Sequence, residues 1–295
     1  MDQKLTCICG DAVDEMSHLP GKSVRLIVTD PPYNLNKNYG VSNDNLNFDD
    51  YINFSRRWLR EAVRVLTDDG SLYIFMGMRY ISYVYVMLEQ EFKLHFNSWI
   101  TWFYTQGIGK TKGFSPRHDD ILFFTKNPKN FVFNLDNIRV PQKFYRSVNN
   151  MRGANPGNVW QFSHTHYCNK NRLNHPTQKP EALFERIILA SSNEGDTVLD
   201  PFVGSGTALR VCQQLKRTGI GIDINPDYVA MTKMRLQEPF KGFDSIDDRM
   251  TRLPNDLGTY HADYIKNHAD WFLKNHPNEI KNFNENYCRQ QNLFD

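Results

Sequence analysis

DTVLDPFVGSGTAL, residues 196–209, joins an apolar run to a glycine-rich turn and the start of a helical pattern. The apolar run predicts a buried strand, and Gly204 and Gly206 let the chain turn tightly into the helix. The next predicted strand, residues 218–224, has Asp223 near its end. Strand, glycine-rich loop, helix, strand and acid occur in this order in the nucleotide-binding unit of α/β proteins, where the acid accepts ribose hydroxyls.

The same alternation of strands and helices extends over most of the chain. Apolar, β-branched runs predict strands at residues 23–30, 69–77, 96–104, 119–126, 196–202 and 218–224. Helical patterns lie between several of these runs, at residues 51–66, 80–91, 181–191, 207–215 and 228–236. We therefore expect an α/β fold with a doubly wound, mostly parallel sheet.

The glycine-rich loop favours one class of adenosine-containing cofactor. A dinucleotide site uses a third glycine below the pyrophosphate, and that glycine is absent here. Asp200, at the end of the strand, would repel a pyrophosphate but can pair with the amino group of a methionine moiety. The loop therefore favours S-adenosylmethionine over NAD.

The alternation fails between about residues 127 and 174, where turn residues occur without sustained periodicity. We interpret residues 127–174 as a loop-rich insert in a main domain formed by residues 1–126 and 175–238. Residues 239–295 form a C-terminal appendage with a helical pattern, which we expect to pack on the core or on a second subunit.

Positive charge is concentrated in one part of the chain. The net charge is only +2, but residues 101–175 contain eleven Lys and Arg against three Asp. Aromatic residues are interleaved with these cations, which is typical of nucleic-acid-binding surfaces. A solvated basic face over an ordinary aromatic core would give the same composition. The candidate phosphate contacts are Lys110, Lys112, Arg117, Lys143, Arg146 and Arg152.

Composition excludes several classes of protein. No apolar run approaches the roughly 20 residues that a membrane span needs, and the N-terminus lacks the apolar segment of a secretory signal. The five cysteines are scattered and include no CxxC pair, which favours reduced thiols over a disulfide framework or a metal site. We expect a cytoplasmic protein that holds no metal.

A second motif, TDPPYNL at residues 29–35, follows the apolar run VRLIV. Together the two motifs resemble the amino-methyltransferases that modify exocyclic amines in DNA. These enzymes carry a [DNS]PP[YFW] tetrapeptide and an FxGxG loop, which occur here at residues 30–33 and 202–206. The order, with the tetrapeptide first, the insert next and the cofactor loop last, resembles that of the β group.

The resemblance covers about residues 5–237 and includes two further segments, residues 9–16 and 174–207. It implies a Rossmann-like methyltransferase fold with a circularly permuted motif order. It also implies that S-adenosylmethionine is the methyl donor and is converted to S-adenosylhomocysteine.

The resemblance implies a role for each matching residue. Asp11 and Ala12 would lie beside the adenine or the methionine end of the cofactor, and Asp223 would hold the ribose. Ile224 would place an aliphatic side chain against the adenine. The residues near the amino-acid part would be His175, Thr177 and Lys179. The cofactor loop would consist of Asp200, Phe202, Gly204, Ser205, Gly206 and Thr207.

The catalytic residues implied by the resemblance are Asp30, Pro31, Pro32 and Tyr33, with Asp30 also beside the cofactor. The Asp30 carboxylate and the Pro31 carbonyl can each accept one N–H of an amine, which localises the nitrogen lone pair. Two prolines fix φ at about −65° and remove N–H donors, so this carbonyl stays rigid. Tyr33 offers a ring face to an extruded base. A stiff turn after a strand is the alternative reading of the tetrapeptide.

The first residue of the tetrapeptide bears on the substrate. In the family, Asp is typical of adenine-N6 enzymes, Ser of cytosine-N4 enzymes and Asn of protein-glutamine methyltransferases. The resemblance thus implies a site-specific DNA adenine-N6 methyltransferase of a restriction–modification system, with double-stranded DNA as partner. A cognate restriction endonuclease and a homodimer are further expected partners. The alternatives are cytosine-N4 or protein-glutamine methylation, a catalytically silent DNA-binding protein and, disfavoured by the missing glycine, a nicotinamide-dependent oxidoreductase.

Overall fold

The computed structural model describes residues 4–37, 44–104, 109–140, 154–162, 173 and 175–238. These residues form one eight-stranded sheet with helices on both faces. The strands are β1 (Leu5–Cys9), β2 (Val24–Thr29), β3 (Leu66–Met76), β4 (His95–Phe103), β5 (His118–Thr125), β6 (Val159–Gln161), β7 (Thr197–Asp200) and β8 (Thr218–Asp223). The α-helices are α1 (Ala12–Ser17), α2 (Phe48–Val65), α3 (Ile81–Val86), α4 (Glu181–Ser191), α5 (Thr207–Gln214) and α6 (Pro226–Gln237).

The strand order is β1-β8-β7-β2-β3-β5-β4-β6. The first five strands in this order are parallel, β5 is antiparallel to both of its neighbours, and β6 is parallel to β4. Strands β2 and β7 are neighbours in the sheet but are far apart in sequence. From β7 the chain continues to β8 on one side, and from β2 it continues to β3 on the other side. The carboxyl ends of β2 and β7 therefore lie where the direction of winding reverses. Ligands of open α/β sheets bind in the crevice at such a switch point.

Each face of the sheet has its own core. One face is covered by α1, α2 and α3, and its core includes Trp58 and Leu59. The other face is covered by α4 and α5, whose Leu183 and Val211 pack against Val28. Burial of these side chains stabilises each layer by about 1.5–3 kcal/mol per large residue. Both faces of β2 are therefore covered, which fixes the position of the residues that follow it.

Helix α2 illustrates why this sequence folds locally. Asn47 caps the helix by accepting a hydrogen bond from the Asp50 amide at 2.9 Å. The buried residues recur at helical spacing and face the sheet; they are Tyr51, Ser55, Trp58, Leu59, Ala62 and Val65. The helix ends where the chain enters β3 directly at Leu66.

The predicted α/β fold is confirmed, and every strand and helix predicted before residue 239 occurs. Helix α4 has the predicted bounds, and the other elements have shifted ends. Four elements of the described residues were not predicted, namely β1, α1, β6 and a short 3₁₀ helix, Leu135–Asn137. The helix expected at residues 80–91 is α3 followed by a π-helical turn, Met87–Glu91. No helix in the described part of the chain is both long and apolar enough to cross a membrane.

The segment interpreted as an insert contributes to the sheet. Strand β6 pairs with β4, and Trp160 and Phe162 are buried in the core together with Trp102. These three aromatic residues belong to the interior, in agreement with the alternative of an aromatic core below a basic face. Residues 141–153 and 163–172 and the appendage lie outside the described residues, and the division into domains stays a prediction.

Candidate active site

A cavity opens at the carboxyl ends of β2, β7 and β8. Twelve of the predicted site residues line it: Asp11, Ala12, Asp30, Pro32, His175, Thr177, Lys179, Asp200, Phe202, Gly204, Ser205 and Thr207. Asp223 and Ile224 line it as well. The two motifs meet directly, because the Thr29 hydroxyl donates a hydrogen bond of 2.8 Å to Asp200, 171 residues further along the chain.

The glycine-rich loop has backbone conformations that only glycine adopts easily. Gly204 has φ +48° and Gly206 has φ +78°. A Cβ atom on Gly204 would lie 2.8 Å from Nε2 of His175, and one on Gly206 would lie 2.6 Å from Oγ1 of Thr232. Gly204 lines the cavity, whereas Gly206 begins α5 and lies behind the loop against α6.

Asp223 lies at one end of the cavity. Its carboxylate accepts hydrogen bonds from the amides of Gly204 at 2.9 Å and Asn225 at 2.8 Å. Burial raises the pKa of this carboxyl group, and the two amide donors oppose that rise. The Gly10 amide donates to the Asp223 carbonyl at 3.0 Å, which brings Asp11 to the same end. Each carboxylate oxygen keeps a further lone pair for a ligand.

Asp200 is buried behind the loop. Its Oδ1 atom accepts hydrogen bonds from the Thr29 hydroxyl and, at 3.2 Å, from the Phe202 amide. Burial nevertheless raises the pKa of Asp200 to about 7. A cationic group in the cavity would offset this penalty, because it favours the ionised carboxylate. The environment of Asp200 therefore fits a ligand with an amino group.

The tetrapeptide is held from both sides. The Tyr51 hydroxyl donates a hydrogen bond of 2.7 Å to the Pro32 carbonyl. Asn34, at φ +59°, is fixed by Asp44, whose carboxylate accepts from the Asn34 amide at 2.6 Å. Among the residues that the structure describes, none donates a hydrogen bond to the Pro31 carbonyl.

Both carboxylate oxygens of Asp30 have a side-chain partner. The Tyr33 hydroxyl donates to Oδ1 at 2.5 Å, and the Lys179 ammonium lies 2.6 Å from Oδ2. The Tyr33 ring packs on Gly77, where an added Cβ atom would lie 3.2 Å from the ring. Lys179 was expected near the cofactor. It lines the cavity, and its ammonium lies beside the Asp30 carboxylate.

Sequence reasoning missed several residues that line the cavity. They are Phe54, Phe184, Pro201, Val203, Asn225 and Tyr228. Pro201 and Val203 lie inside the glycine-rich loop. Their position between predicted cofactor-loop residues was the signal that could have identified them. The side chains of Phe54 and Tyr228 arrive from α2 and α6, and no local pattern indicated which helical face would meet the cavity.

The predicted DNA contacts are only partly described. Lys110 and Lys112 are exposed in the connection between β4 and β5, and Arg117 is half-buried at its end. Phe114 in the same connection is 99% exposed. The other three candidates, Lys143, Arg146 and Arg152, lie outside the described residues.

Comparison with known proteins identifies the family. The family model described as DNA methylase, of the N6/N4 type, matches residues 24–234. The chain is 66% identical over 285 residues to the Type II methyltransferase M.HpaI of Haemophilus parainfluenzae, covering 96% of this chain and 90% of that protein. It is 39% identical over 244 residues to the DNA adenine methyltransferase YhdJ of Escherichia coli, covering 78% and 82% of the two chains.

Solved structures agree with the fold. The crystal structure of the M1.HpyAVI–SAM complex superimposes with a TM-score of 0.60 at 25% identity, covering 79% of this chain and 100% of that chain. The cytosine-N4-specific PvuII DNA methyltransferase superimposes with a TM-score of 0.67 at 19% identity, covering 87% and 94%. The predicted Rossmann-like methyltransferase fold is thereby confirmed. The chain belongs to the N6/N4 family of DNA methylases and is a site-specific DNA methyltransferase that uses S-adenosylmethionine.

Proposed function

We propose that this protein methylates the N6 amine of an adenine that is extruded from duplex DNA. The observation that carries the proposal is the position of the Asp30 carboxylate in the wall of the cofactor cavity, directly before the stiff Pro31-Pro32 segment. The Pro31 carbonyl is the second acceptor in this proposal. Two acceptors at this place suit an amine with two N–H donors. Asp in the first position of the tetrapeptide favours adenine, and the relative from Escherichia coli is named an adenine methyltransferase.

The residues of the tetrapeptide divide the chemistry between them. Asp30 and the Pro31 carbonyl each accept one N–H of the target amine, so its lone pair is no longer shared with the ring. Tyr33 supports the base by stacking, which repays part of the cost of extrusion. S-adenosylmethionine would supply the electrophilic methyl group when bound and would leave as S-adenosylhomocysteine. Asp30 accepts the proton that the methylated amine loses and passes it to water.

Residues that line the cavity would hold the cofactor in a defined direction. Asp223 accepts the ribose hydroxyls, and Ile224 and Ala12 lie against the adenine. Asp200 pairs with the amino group of the methionine part, which fits the raised pKa of its carboxyl group. The further proposed contacts are Asp11, His175, Thr177, Phe202, Gly204, Ser205 and Thr207. Gly206, behind the loop, supports its shape.

DNA would lie across the connection between β4 and β5. Lys110, Lys112 and Arg117 supply phosphate contacts, which give affinity without sequence preference. Phe114 exposes its whole ring between these cations, as a side chain that stacks on bases does. The insert, residues 127–174, reads the recognition sequence, and its Lys143, Arg146 and Arg152 are further phosphate contacts. We expect the protein to act in the cytoplasm, alongside a cognate restriction endonuclease and as a homodimer.

A direct experiment tests the proposal. The protein is incubated with S-adenosylmethionine carrying a labelled methyl group and with duplex DNA of mixed sequence, and the digested nucleosides are separated. The expected product is N6-methyladenine. Labelled N4-methylcytosine would instead assign the enzyme to the cytosine class. No labelled nucleoside, with cofactor binding intact, would indicate a catalytically silent DNA-binding protein.

A further inference from the structure

Lys179 occupies an unusual environment for a lysine. Its side chain is only 7% exposed, and its ammonium lies 2.6 Å from a carboxylate oxygen of Asp30, which is 16% exposed. Three aromatic rings surround the ammonium at 5.3–5.9 Å from their centroids, namely those of Tyr33, Phe75 and Trp102. Carboxylate and ring faces both attract a cation, so the ammonium is strongly held.

The surfaces that hold the ammonium are the same surfaces that the proposed function gives to the target base. The base needs the Asp30 carboxylate for its amine and the Tyr33 face for its ring. Stacked aromatic rings lie about 4.5–7 Å apart between centroids, and the Lys179 ammonium lies 5.3 Å from the Tyr33 centroid. A base and this ammonium cannot occupy the space together.

We propose that Lys179 is a positioning residue whose ammonium occupies the place of the target amine until a base enters. When the base is extruded from the DNA, its amine replaces the Lys179 ammonium beside Asp30. The inference rests on the proposed function, since it takes Asp30 as the acceptor of the amine. Without DNA, the ion pair keeps the Asp30 carboxylate paired and oriented, which a partly buried charge requires. With DNA, the amine takes over the bond to Asp30.

The surroundings of Lys179 allow such an exchange. Its backbone is fixed, because its carbonyl accepts a hydrogen bond from the Thr207 hydroxyl at 3.2 Å. The side chain is a flexible stem of four carbons that can turn away without moving the backbone. Asp119 is a second acid within the field of the ammonium: burial raises the pKa of Asp119, and the Lys179 charge opposes that rise. The Lys179 charge therefore already acts on a partly buried acid other than Asp30.

Departure of the ammonium also suits the reaction. The target amine gains positive charge as it takes the methyl group, and a cation bonded to Asp30 would oppose this charge. The exchange therefore removes the repulsion between the Lys179 ammonium and the target amine during methyl transfer. An immobile structural lysine would leave that repulsion in place.

The test measures base extrusion. The fluorescent base 2-aminopurine is placed next to the target adenine in a duplex that carries the recognition site, so the target keeps its amine and its extrusion raises the fluorescence of the neighbouring base. Fluorescence is recorded at saturating protein with S-adenosylhomocysteine bound. We expect Lys179→Met to raise the ratio of extruded to stacked base at least threefold over wild type, because no ion pair has to break. Lys179→Arg keeps a cation at Asp30 and should not exceed wild type. The matched control is Lys22→Met, which removes a lysine from an exposed pair with Asp68 and should equal wild type.

Extrusion in Lys179→Met at or below the wild-type value would overturn the proposal. If that variant does not fold, a crystal structure of the wild-type protein with S-adenosylhomocysteine and DNA decides. An ammonium displaced from Asp30 by the base amine supports the exchange, and an intact ion pair beside a bound base rules it out. Methyl transfer by the wild type is measured separately: if cytosine is the base methylated, the adenine assignment fails and the exchange is tested with a fluorescent cytosine analogue.

Discussion

The two ends of the active site are built from different kinds of bonds. At the end that we assign to the cofactor, the Gly204 and Asn225 amides donate to Asp223, and the Phe202 amide and the buried Thr29 hydroxyl donate to Asp200. At the target end, the side chains of Tyr33 and Lys179 hold Asp30. A backbone amide cannot leave its place, whereas a lysine side chain can.

This difference has a functional consequence. A cofactor that is bound in every turnover gains from a site that is already organised, because no reorganisation opposes binding. A target base enters only after extrusion, and its site must keep a charged acid paired in the meantime. We therefore expect variants at the cofactor end to change cofactor affinity and variants at the target end to change methyl transfer.

Removal of the acid at the target end should give the largest effect. Asp30→Ala loses one acceptor of the amine, and methyl transfer should fall at least about a hundredfold, in line with the loss of one transition-state hydrogen bond. The dissociation constant of the cofactor, measured by calorimetry, should change much less. Asp68→Ala, at an exposed ion pair, is the control. Full methyl transfer by Asp30→Ala would disprove the role of this residue.

A substitution in the glycine-rich loop should mainly affect the cofactor end. Gly204→Ala places a Cβ atom 2.8 Å from His175 at φ +48°, and we expect the cofactor dissociation constant to rise about tenfold. Gly195→Ala is the matched control, since Gly195 also has positive φ (+84°) but nothing within 4 Å of an added Cβ atom. It should lose about 1–2 kcal/mol of stability from backbone strain alone and keep its cofactor affinity.

Asp200 should make cofactor binding depend on pH. Its carboxyl group has a pKa of about 7, and an amino group beside it favours the ionised form. Cofactor affinity of the wild type, measured by calorimetry, should therefore rise about fivefold from about pH 6 to pH 7.5. Asp200→Asn should bind more weakly and lose this dependence. An equal slope in the variant would place the titrating group elsewhere.

Stability without cofactor should change with pH in the opposite sense. Because burial raises the Asp200 pKa from 3.8 to about 7, the contribution of this group is fully present below about pH 4 and is lost as pH rises through about 7. The melting temperature of Asp200→Asn relative to wild type should accordingly increase over this range. A constant difference would contradict the raised pKa.

A smaller effect is expected behind the Tyr33 ring. Gly77→Ala brings a Cβ atom to 3.2 Å from this ring, so the ring must shift by a few tenths of an ångström. Methyl transfer should fall about threefold with cofactor affinity unchanged. Gly21→Ala, whose added Cβ atom would have ordinary contacts at 3.7 Å, is the control. A change in cofactor affinity alone would show that the two ends are not separable.

The smallest effect is expected at the DNA surface. Lys112→Ala removes one exposed cation, and the slope of log affinity for DNA against log salt should fall by about one. Lys233→Ala, on the exposed face of α6, should leave the slope unchanged. An unaltered slope in Lys112→Ala would mean that this part of the connection faces away from DNA.

Local patterns predicted much of this fold. The six long apolar runs and five helical patterns were sufficient, because burial against a sheet imposes a period on each segment. Strands β1 and β6 were missed for different reasons: LTCIC alternates only weakly, and three residues of β6 carry no period. The burial of Trp102 and Trp160 depends on which strands pair, and the amino-acid composition does not specify strand pairing.

The sequence by itself determined the two motifs, their order and the class of cofactor, because proline, glycine and acidic residues at fixed spacing have a local physical effect. Only the tertiary structure decided what surrounds them. Phe54 and Tyr228 reach the cavity through the rotation of two helices, and Lys179 meets Asp30 across 149 residues of chain. Contacts of this kind arise from the packing of elements that are distant in sequence, so no spacing along the chain specifies them.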